Sequence, residues 1–259
     1  MRLITWNVNS LKARWPRIPE LLVAHGPDVV CVQETKLAAD AFPHDDLAAL
    51  GYRAVESSEG RWNGVALLVR DTLPVSDVTT VLPGNPVPEE ARWIEATVEG
   101  VRVISVYVPN GREVASEWYP RKLEFLAAMK DRLAVLVAAG PTVVAGDFNV
   151  APEDRDVWDL RAFPEGSTHV TPAEREAVAA LVDLGMVDAQ RAVLSDGEAF
   201  TWWDYRGGAF HRGHGLRIDL ALVAGLQVTD VQVDRVARRN NEAGDKPSDH
   251  APVVVDLTR

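Results

Sequence analysis

Short apolar runs rich in β-branched residues recur along the whole chain, and this pattern limits the folds that the sequence can adopt. Each run has the length of a single strand, and most are bounded by Gly, Pro, Asp or Asn. The runs are Leu3–Trp6, Val29–Val32, Val65–Val69, Arg92–Val98, Val101–Val108, Thr142–Ala145, Ile218–Val223, Val228–Val233 and Pro252–Leu257. The sequence therefore predicts extensive β-sheet, with a hairpin that turns near Glu99-Gly100.

Two longer segments between the strands have helical spacing. Apolar residues recur at helical intervals from Lys122 to Val137, and Gly140-Pro141 predicts the end of this helix. Thr171-Pro172-Ala173-Glu174 is a capping box that begins a second helix, which is expected to reach about Leu184. Many strands with fewer helices favour an α/β sandwich, in which two sheets pack on each other with helices outside.

Composition excludes several classes of protein. The chain has 259 residues, of which 47% are hydrophobic and 25% are charged, and such values are typical of globular proteins rather than disordered ones. No linker or repeat divides the chain, so residues 1–259 are expected to form a single domain, which we expect to be a monomer. No apolar run approaches the roughly 20 residues of a membrane span.

Two further features favour a cytoplasmic location. The N-terminus lacks the apolar stretch and cleavage site of a signal peptide. Cys31 is the one cysteine of the chain, so it cannot form an intramolecular disulfide, and it lies within an apolar run. We expect it to be a buried thiol in a reducing compartment.

The net charge of −11 argues at face value against nucleic acid, because proteins that bind it are usually basic. The sum does not decide the question, since an acidic protein can bind DNA through a local basic face. A metal ion that offsets the carboxylates of a site has the same effect.

Oxygen-bearing side chains stand repeatedly at the ends of the predicted strands, where loops meet and active sites are usually built. They are Asn7, Glu34, Asp147, Asn149, Asp219 and Asp249, and His250 stands beside the last of them. Any one of these acids could simply cap a strand or helix. As a packed set, however, the acids would repel one another unless a cation joined them. Carboxylate and amide oxygens without cysteine favour Mg²⁺ or Mn²⁺ over zinc.

The histidines carry weaker signals. A lone histidine is more often structural than catalytic, but His250 directly follows Asp249 and precedes a predicted buried strand. An adjacent carboxylate can fix the tautomer of an imidazole and favour its charged form. A zinc site at His211 and His214 has little support, because no further ligand lies at a suitable spacing.

Six short motifs in register carry a resemblance that covers essentially the whole chain. They are Trp6-Asn7-Val8-Asn9-Ser10, Gln33-Glu34-Thr35-Lys36, Tyr107-Val108-Pro109-Asn110-Gly111, Gly146-Asp147-Phe148-Asn149, Gly215-Leu216-Arg217-Ile218-Asp219 and Lys246-Pro247-Ser248-Asp249-His250. Each motif is weak alone. Together they resemble the exonuclease III family of abasic-site endonucleases, within the endonuclease/exonuclease/phosphatase superfamily.

The resemblance implies a four-layer α/β sandwich, with two packed mixed β-sheets flanked by helices. It also implies Mg²⁺-dependent cleavage of double-stranded DNA on the 5′ side of an abasic site, and 3′→5′ removal of nucleotides from duplex ends. By position, Glu34 would bind the metal with Asn7 close by. Asp249 would lie near the metal as a candidate second-site ligand.

The resemblance also implies roles in the chemistry. Asp147 would orient or deprotonate the attacking water, and Asn149 would hold that water or a phosphate oxygen. Tyr107 and Asn110 would contact the scissile phosphate. Asp219 would orient His250, which would stabilise charge on the phosphoryl oxygens. The sequence leaves open whether Asp147 or His250 takes the proton of the water.

The DNA contacts are expected around the tract Thr201 to Arg206. If this tract is a strand, Trp202 and Trp203 point to opposite faces, so one of them is expected in the core. The resemblance instead implies that both, with Leu216, surround a pocket for a flipped sugar that lacks a base. Backbone contacts are expected from cations near the proposed site, namely Lys36, Arg206 and Arg217.

Two other functions compete with this reading. A phosphatase or phosphodiesterase of the same superfamily, acting on a non-DNA phosphate ester, would keep the same acids. The tract Trp202-Trp203 and the segment from Gly215 to Asp219 favour the DNA-repair branch instead. A non-enzymatic binding module would not need the full set of acids with His250.

Overall fold

Twelve strands form the framework of the protein, whose computed structural model describes residues 1–194 and 199–259. In chain order they are β1 (Arg2–Asn7), β2 (Val29–Gln33), β3 (Tyr52–Ser57), β4 (Val65–Arg70), β5 (Val75–Thr79), β6 (Trp93–Val98), β7 (Val101–Tyr107), β8 (Thr142–Asp147), β9 (Val187–Asp188), β10 (Asp219–Ala224), β11 (Gln227–Val233) and β12 (Val253–Thr258). The predicted apolar runs all correspond to strands among these.

Seven α-helices accompany the strands in the described residues. They are α1 (Leu11–Arg14), α2 (Arg17–His25), α3 (His44–Ala49), α4 (Trp118–Ala139), α5 (Pro172–Val182), α6 (Ala189–Val193) and α7 (Ala209–Arg212). Short 3₁₀ turns lie at Ala39–Ala41, Asp154–Asp156, Leu160–Ala162 and Arg206–Gly208. No helix in the described part of the chain is both long and apolar enough to cross a membrane.

The strands form two mixed sheets of six strands each. The order in the first sheet is β11-β12-β1-β2-β4-β3, and the order in the second is β5-β6-β7-β8-β10-β9. Each sheet has one parallel pair near its centre, β1 with β2 and β7 with β8, and the other pairs are antiparallel.

Three apolar clusters define four layers. The central cluster joins the inner faces of the two sheets, with Leu3 and Cys31 from the first sheet and Val103 and Val143 from the second. A second cluster packs α4 and α5 on the outer face of the second sheet. A third packs α2 and α3 on the outer face of the first sheet. The predicted four-layer α/β sandwich is therefore confirmed.

Local expectations are largely confirmed. Strands β6 and β7 form the predicted hairpin, paired from Trp93 with Val106 to Val98 with Val101. The capping box of α5 is present, with Thr171 Oγ1 accepting from the Glu174 amide and the Glu174 carboxylate accepting from the Thr171 amide. Helix α4 begins at Trp118, before the predicted start at Lys122. The sequence pattern missed this first turn because it has no regular apolar spacing.

Cys31 is fully buried, as expected, and burial raises the pKa of its thiol far above the ordinary value. Strands β3, β5 and β9 were missed by the sequence pattern. β3 and β5 are edge or near-edge segments with polar residues among the apolar ones, such as Glu56 and Asp77. β9 has two residues, too few for any periodicity.

Gly146 marks a point where the two central strands of the second sheet approach too closely for a side chain. A Cβ built at Gly146 would lie 1.9 Å from the carbonyl oxygen of Val106 on the neighbouring strand β7. The glycine is therefore required by the packing of β8 against β7.

We expect Gly146→Ala to lower the free energy of unfolding by about 3 kcal/mol or more, since the backbone of a central strand must move. The control is Gly51→Ala, where φ is +80° and a Cβ would meet no atom within 4 Å. That variant should lose about 1–2 kcal/mol from left-handed strain alone. Urea unfolding measures both, and equal losses would contradict the steric argument.

Candidate active site

One edge of the sandwich collects the polar side chains because of strand direction. β1 and β2 are parallel and end at this edge, while β12 runs antiparallel to β1 and begins there. In the second sheet β7 and β8 end at the same edge, and β10 begins opposite Asp147. The fold thus brings residues from six separate segments together. They are Asn7, Glu34, Tyr107, Asp147, Asn149, Asp219 and His250.

The side-chain amide of Asn7 bridges two carboxylates. Its side-chain Nδ2 donates to Glu34 Oε1 at 2.8 Å and to Asp147 Oδ2 at 2.9 Å. Its Oδ1 accepts from the Asn9 amide at 2.9 Å, and the side chain is fully buried. Asn7 therefore acts as a spacer between Glu34 of one sheet and Asp147 of the other, and its role as a direct metal ligand stays a prediction.

Asp147 is buried and binds protons more tightly than a free aspartate. Burial raises its pKa to about 7, with Asp219 and Glu34 adding to the rise, while charge on His250 opposes it. Oδ1 accepts from the Asn149 amide at 2.9 Å, which fixes the plane of the carboxylate. A carboxylate with this pKa can accept a proton near neutral pH.

His250 has the opposite character. Its Nδ1 lies 2.8 Å from Asp219 Oδ2, and its Nε2 lies 3.8 Å from Asp147 Oδ2. Burial disfavours charge on the ring, but Asp219, Asp147 and Asp249 outweigh it and raise the pKa to about 10. His250 is therefore an imidazolium at neutral pH, and its orientation by Asp219 stays a prediction with which this contact agrees.

Glu34 and Asp249 lie on the rim of the site. Lys36 Nζ contacts Glu34 Oε2 at 2.8 Å and donates to Asn9 Oδ1 at 2.6 Å. Asn9 Nδ2 donates to Asp249 Oδ1 at 3.0 Å. Burial works against ionisation of both acids, but cationic and amide neighbours outweigh it and lower both pKa values. Both groups are thus carboxylates, the form that a divalent cation binds.

Three side chains lie close enough together to hold a metal ion, but they are not the ligands that the sequence predicted. Ligand atoms of Asp147, Asp219 and His250 all lie within 4.8 Å of one another. A protonated His250 has no lone pair to offer a metal, so this set fits a proton network better than a coordination shell. Asp219 Oδ1 has no hydrogen-bond partner among the described residues, although it is buried. The carboxylates of Glu34 and Asp249 remain the better-suited oxygen ligands.

Two asparagines form one wall of the site. Asn110 Nδ2 donates to Asn149 Oδ1 at 3.0 Å, and Asn149 Nδ2 donates to the carbonyl oxygen of Val108 at 2.9 Å. Asn110 is exposed, while Asn149 is buried with a left-handed backbone, φ +52°. Both carboxamides are thus held beside Asp147.

A cavity of about 380 Å³ connects these groups. Nine predicted site residues line it: Glu34, Tyr107, Asn110, Asp147, Asn149, Trp202, Leu216, Asp249 and His250. Trp202 joins the polar and apolar parts, because its Nε1 donates to Asp249 Oδ2 at 3.1 Å while its backbone pairs with Leu216. The pKa of Tyr107 is raised, by burial first and then by Glu34, so its hydroxyl stays neutral.

Two predicted DNA contacts are wrong. Trp203 is fully buried and packs with Phe210, so it belongs to the core and not to the cavity wall. This confirms the expectation that one tryptophan of the pair is internal. Arg217 is also fully buried, with Nε 2.6 Å from Asp156 Oδ1 and Nη1 2.7 Å from Asp188 Oδ2. Its guanidinium is committed to these ion pairs and cannot reach a DNA backbone.

Arg206 lies on the surface, as a DNA contact requires, with its guanidinium paired to Asp204 at 2.7 Å. His211 and His214 form no metal cluster in the described part of the chain. His214 instead stacks on the ring of Trp158, with centroids 3.7 Å apart.

Three cavity residues were missed by sequence reasoning, namely Phe163, His169 and Ile218. His169 has φ +78°, which is unusual for a non-glycine residue, and its Nδ1 contacts the Asn149 carbonyl oxygen. Burial and the nearby Lys122 lower its pKa to about 4, so its ring is neutral. The sequence pattern did not identify His169 as a site residue, because its place in the cavity depends on this left-handed backbone conformation.

A hydrogen-bonded pair of His250 and Asp219 should make stability depend on pH in a defined direction. The folded pKa of His250 lies above its unfolded value of about 6.5, so the stabilisation is complete below that pH. It is lost as the pH rises through about 10. In chelator, Asp219→Asn should therefore destabilise the protein more at pH 6 than at pH 10.

The matched control is Asp256→Asn, which breaks a surface pair with Arg2. Its effect should be equal at pH 6 and pH 10, because the carboxylate and the guanidinium keep their charges over that range. Thermal unfolding at the two pH values, with an NMR titration of His250, measures both variants. A constant destabilisation by Asp219→Asn would contradict a charged His250.

Comparisons with known proteins agree with this geometry. Residues 4–250 match the model of the Endonuclease/Exonuclease/phosphatase family. Exodeoxyribonuclease III of Haemophilus influenzae is 31% identical over 265 residues, covering 98% of each chain.

Two solved structures extend the likeness. The 3′-5′ exonuclease NExo of Neisseria meningitidis superposes with a TM-score of 0.93 and 39% identity, covering all of both chains. An AP endonuclease of Archaeoglobus fulgidus gives a TM-score of 0.91 and 33% identity, covering 99% of each chain. The strand ends, the charged site and these matches agree, and the chain belongs to the endonuclease/exonuclease/phosphatase family.

Proposed function

We propose that this chain is a DNA repair nuclease that hydrolyses the phosphodiester 5′ to abasic sites and removes nucleotides 3′→5′ from duplex ends. The observation that carries the proposal is the pair Asp147 and His250, 3.8 Å apart at the floor of the cavity. One member has a raised carboxylate pKa and the other is a fixed imidazolium. Phosphodiester hydrolysis needs a base for water and a cation for the developing charge.

The protonation states assign the base. His250 already carries a proton at neutral pH, so Asp147 is the group that can accept the proton of the attacking water. His250 Nε2 then donates toward a phosphoryl oxygen, and Asp219 keeps the ring charged and oriented. Asn110 and Asn149 supply neutral N–H donors to the phosphate, and Tyr107 supplies a neutral hydroxyl. These donors are fixed before the substrate arrives, so little reorganisation is needed.

The residues also fit a divalent metal. Glu34 and Asp249 are ionised carboxylates that line the cavity. Both are hard oxygen donors, which suit Mg²⁺ and, as a substitute, Mn²⁺. We assign Glu34 as the principal ligand, with Asn7 beside it and Asp249 as a second-site ligand. When bound, the metal stabilises negative charge on phosphoryl and leaving oxygens.

The apolar side of the cavity fits a sugar without a base. Trp202, Leu216, Phe163 and Ile218 form this side, next to the phosphate-binding asparagines. An abasic nucleotide costs less to extrude than a paired one, because it has no base to unstack. A pocket of this character selects such a nucleotide by size and by extrusion cost.

The surface beside the site fits DNA despite the net charge of −11. A groove of about 410 Å³ continues from Asn110 and is lined by Trp62 and Trp118. Arginine guanidinium groups lie over both rings, with Arg61 5.1 Å from Trp62 and Arg112 4.3 Å from Trp118. Aromatic rings with arginines are typical of surfaces that bind nucleic acid. Lys36 and Arg206 would add phosphate contacts on the rim.

The proposed partner is double-stranded DNA with abasic sites or free 3′ ends. The site draws on both sheets, so we treat residues 1–259 as one functional domain that acts as a monomer. A related Neisseria structure, described as the 3′ phosphatase NExo, was solved bound to a product DNA hairpin. Nucleases among the relatives favour DNA over the alternative of a non-DNA phosphate ester.

The proposal is tested on three duplexes: intact, recessed at a 3′ end, and carrying one abasic site. With Mg²⁺ the protein should shorten the recessed strand and cut at the abasic site, and chelator should stop both reactions without unfolding the protein. Asp147→Asn should lower turnover about a hundredfold or more, since the base is lost. Asp256→Asn, a remote carboxylate on the surface, is the control. If the protein cleaves none of the three duplexes, the proposal is wrong.

The pocket assignment is tested by Trp202→Ala. We expect preference for the abasic site to fall by about 1–3 kcal/mol relative to exonuclease action, the scale of one aromatic contact with nucleic acid. The control is Trp158→Ala, because Trp158 is partly exposed and lies outside the cavity. It should change both rates by the same factor. An unchanged ratio of the two rates in a folded Trp202→Ala protein would remove Trp202 from the pocket.

A further inference from the structure

A buried ion pair lies directly behind the asparagine wall, and the mechanism above does not use it. Lys122 of α4 and Glu174 of α5 are both fully buried and contact each other. Burying two charges is costly, and an apolar pair of similar volume is often at least as stable. Stability alone therefore does not account for this pair, so its other contacts are informative.

The ammonium group of Lys122 touches main-chain atoms of the site. Its Nζ donates to the Asn149 carbonyl oxygen at 2.6 Å and lies 3.3 Å from the Asn110 carbonyl oxygen. It also lies 3.0 Å from Thr168 Oγ1. One cation thus connects the backbones of both asparagines whose carboxamides form the cavity wall.

Glu174 ties down the adjoining loop. Oε1 accepts from the His169 amide at 3.0 Å and from Thr168 Oγ1 at 2.6 Å. Oε2 accepts from the Thr171 amide at 3.0 Å within the capping box. The carboxylate therefore joins the loop of residues 168–171 to the same cation that holds the two asparagines.

The loop after Asn110 is fitted closely around the lysine stem. Gly111 has φ +81°, and a Cβ at this position would lie 3.0 Å from Lys122 Cδ and 3.1 Å from Thr168 Oγ1. Asn149 likewise has a left-handed backbone, which needs support from its surroundings. The carbonyl oxygens of both asparagines thus contact Lys122, beside a loop with little room for a side chain at Gly111.

We propose that the Lys122–Glu174 ion pair is a positioning device for the reaction, which sets the carboxamides of Asn110 and Asn149 against the phosphoryl group. Neither member touches the substrate, so both are positioning residues and not catalytic ones. The inference rests on the proposed nuclease function for its kinetic consequence. Its structural consequence, the fixed orientation of the two asparagines, is independent of that function.

The kinetic test removes the pair without leaving a lone buried charge, in the variant Lys122→Met/Glu174→Gln. We expect kcat to fall about 10- to 100-fold, with KM for DNA changed less than about threefold, because positioning rather than binding is lost. In an Asn149→Ala background the same double change should lower kcat less than about threefold. Groups that act through one another are non-additive in this way.

The matched control is Arg132→Met, which breaks another pair on the same helix. Arg132 binds the buried Glu95, and neither residue lines the cavity. It should lower stability with less than about a twofold change in kcat, and its effect should be additive with Asn149→Ala. Equal kcat in wild type and a folded Lys122→Met/Glu174→Gln protein, or full additivity with Asn149→Ala, would overturn the proposal.

A second variant covers the case in which the double change prevents folding. Thr168→Val keeps the ion pair and the side-chain shape but removes the hydroxyl that contacts Lys122. It should lower kcat about 3- to 10-fold, and an unchanged kcat would contradict the positioning role of the ion pair.

NMR of the side-chain amide groups of Asn110 and Asn149 separates this proposal from the nuclease proposal. Their resonances should shift in the Lys122 or Thr168 variants and stay in place in Arg132→Met. If wild type cleaves no DNA but these resonances shift as expected, the nuclease function fails and the positioning stands. If DNA is cleaved but the resonances do not move, the positioning fails alone.

Discussion

Two hydrogen bonds across the join between the sheets hold the site together. Asn7 at the end of β1 donates to Asp147 at the end of β8, and His250 before β12 contacts Asp219 at the start of β10. Each bond links one sheet to the other at the edge where the strands meet. The apolar cluster between the sheets sets their separation, and these polar contacts align them at the point where chemistry is needed.

Burial raises the pKa of Asp147, while neighbouring carboxylates raise the pKa of His250 against the effect of burial. Asp147 can take up a proton near neutral pH, whereas His250 stays charged because Asp219, Asp147 and Asp249 outweigh the cost of burial. A base and a cationic donor therefore lie side by side without neutralising each other. The raised pKa of His250 favours Asp147 as the base, and this assignment stays a proposal.

Residues at strand ends could be predicted from sequence, because strand direction decides where they meet. Asp147, Asp219 and His250 followed from that rule and from the motifs that contain them. Burial of individual side chains could not be read in the same way, and so Trp203 and Arg217 were assigned to DNA although both lie in the interior. The position of His169 depends on a left-handed backbone that no periodicity encodes. The edge strands β3 and β5 mix polar with apolar residues, and β9 has only two residues, so no apolar pattern marked them.

Asp147 and His250 belong to different sheets, so the distance between them depends on how the two sheets pack. The gap between Asp147 and His250 is a direct measure of how far apart the two sheets sit at that edge. We expect a void or an extra methyl group in the apolar cluster between the sheets, for instance beside Cys31, to alter that gap without touching either side chain. We therefore expect substitutions in the central apolar cluster that leave the protein folded to lower turnover through this distance.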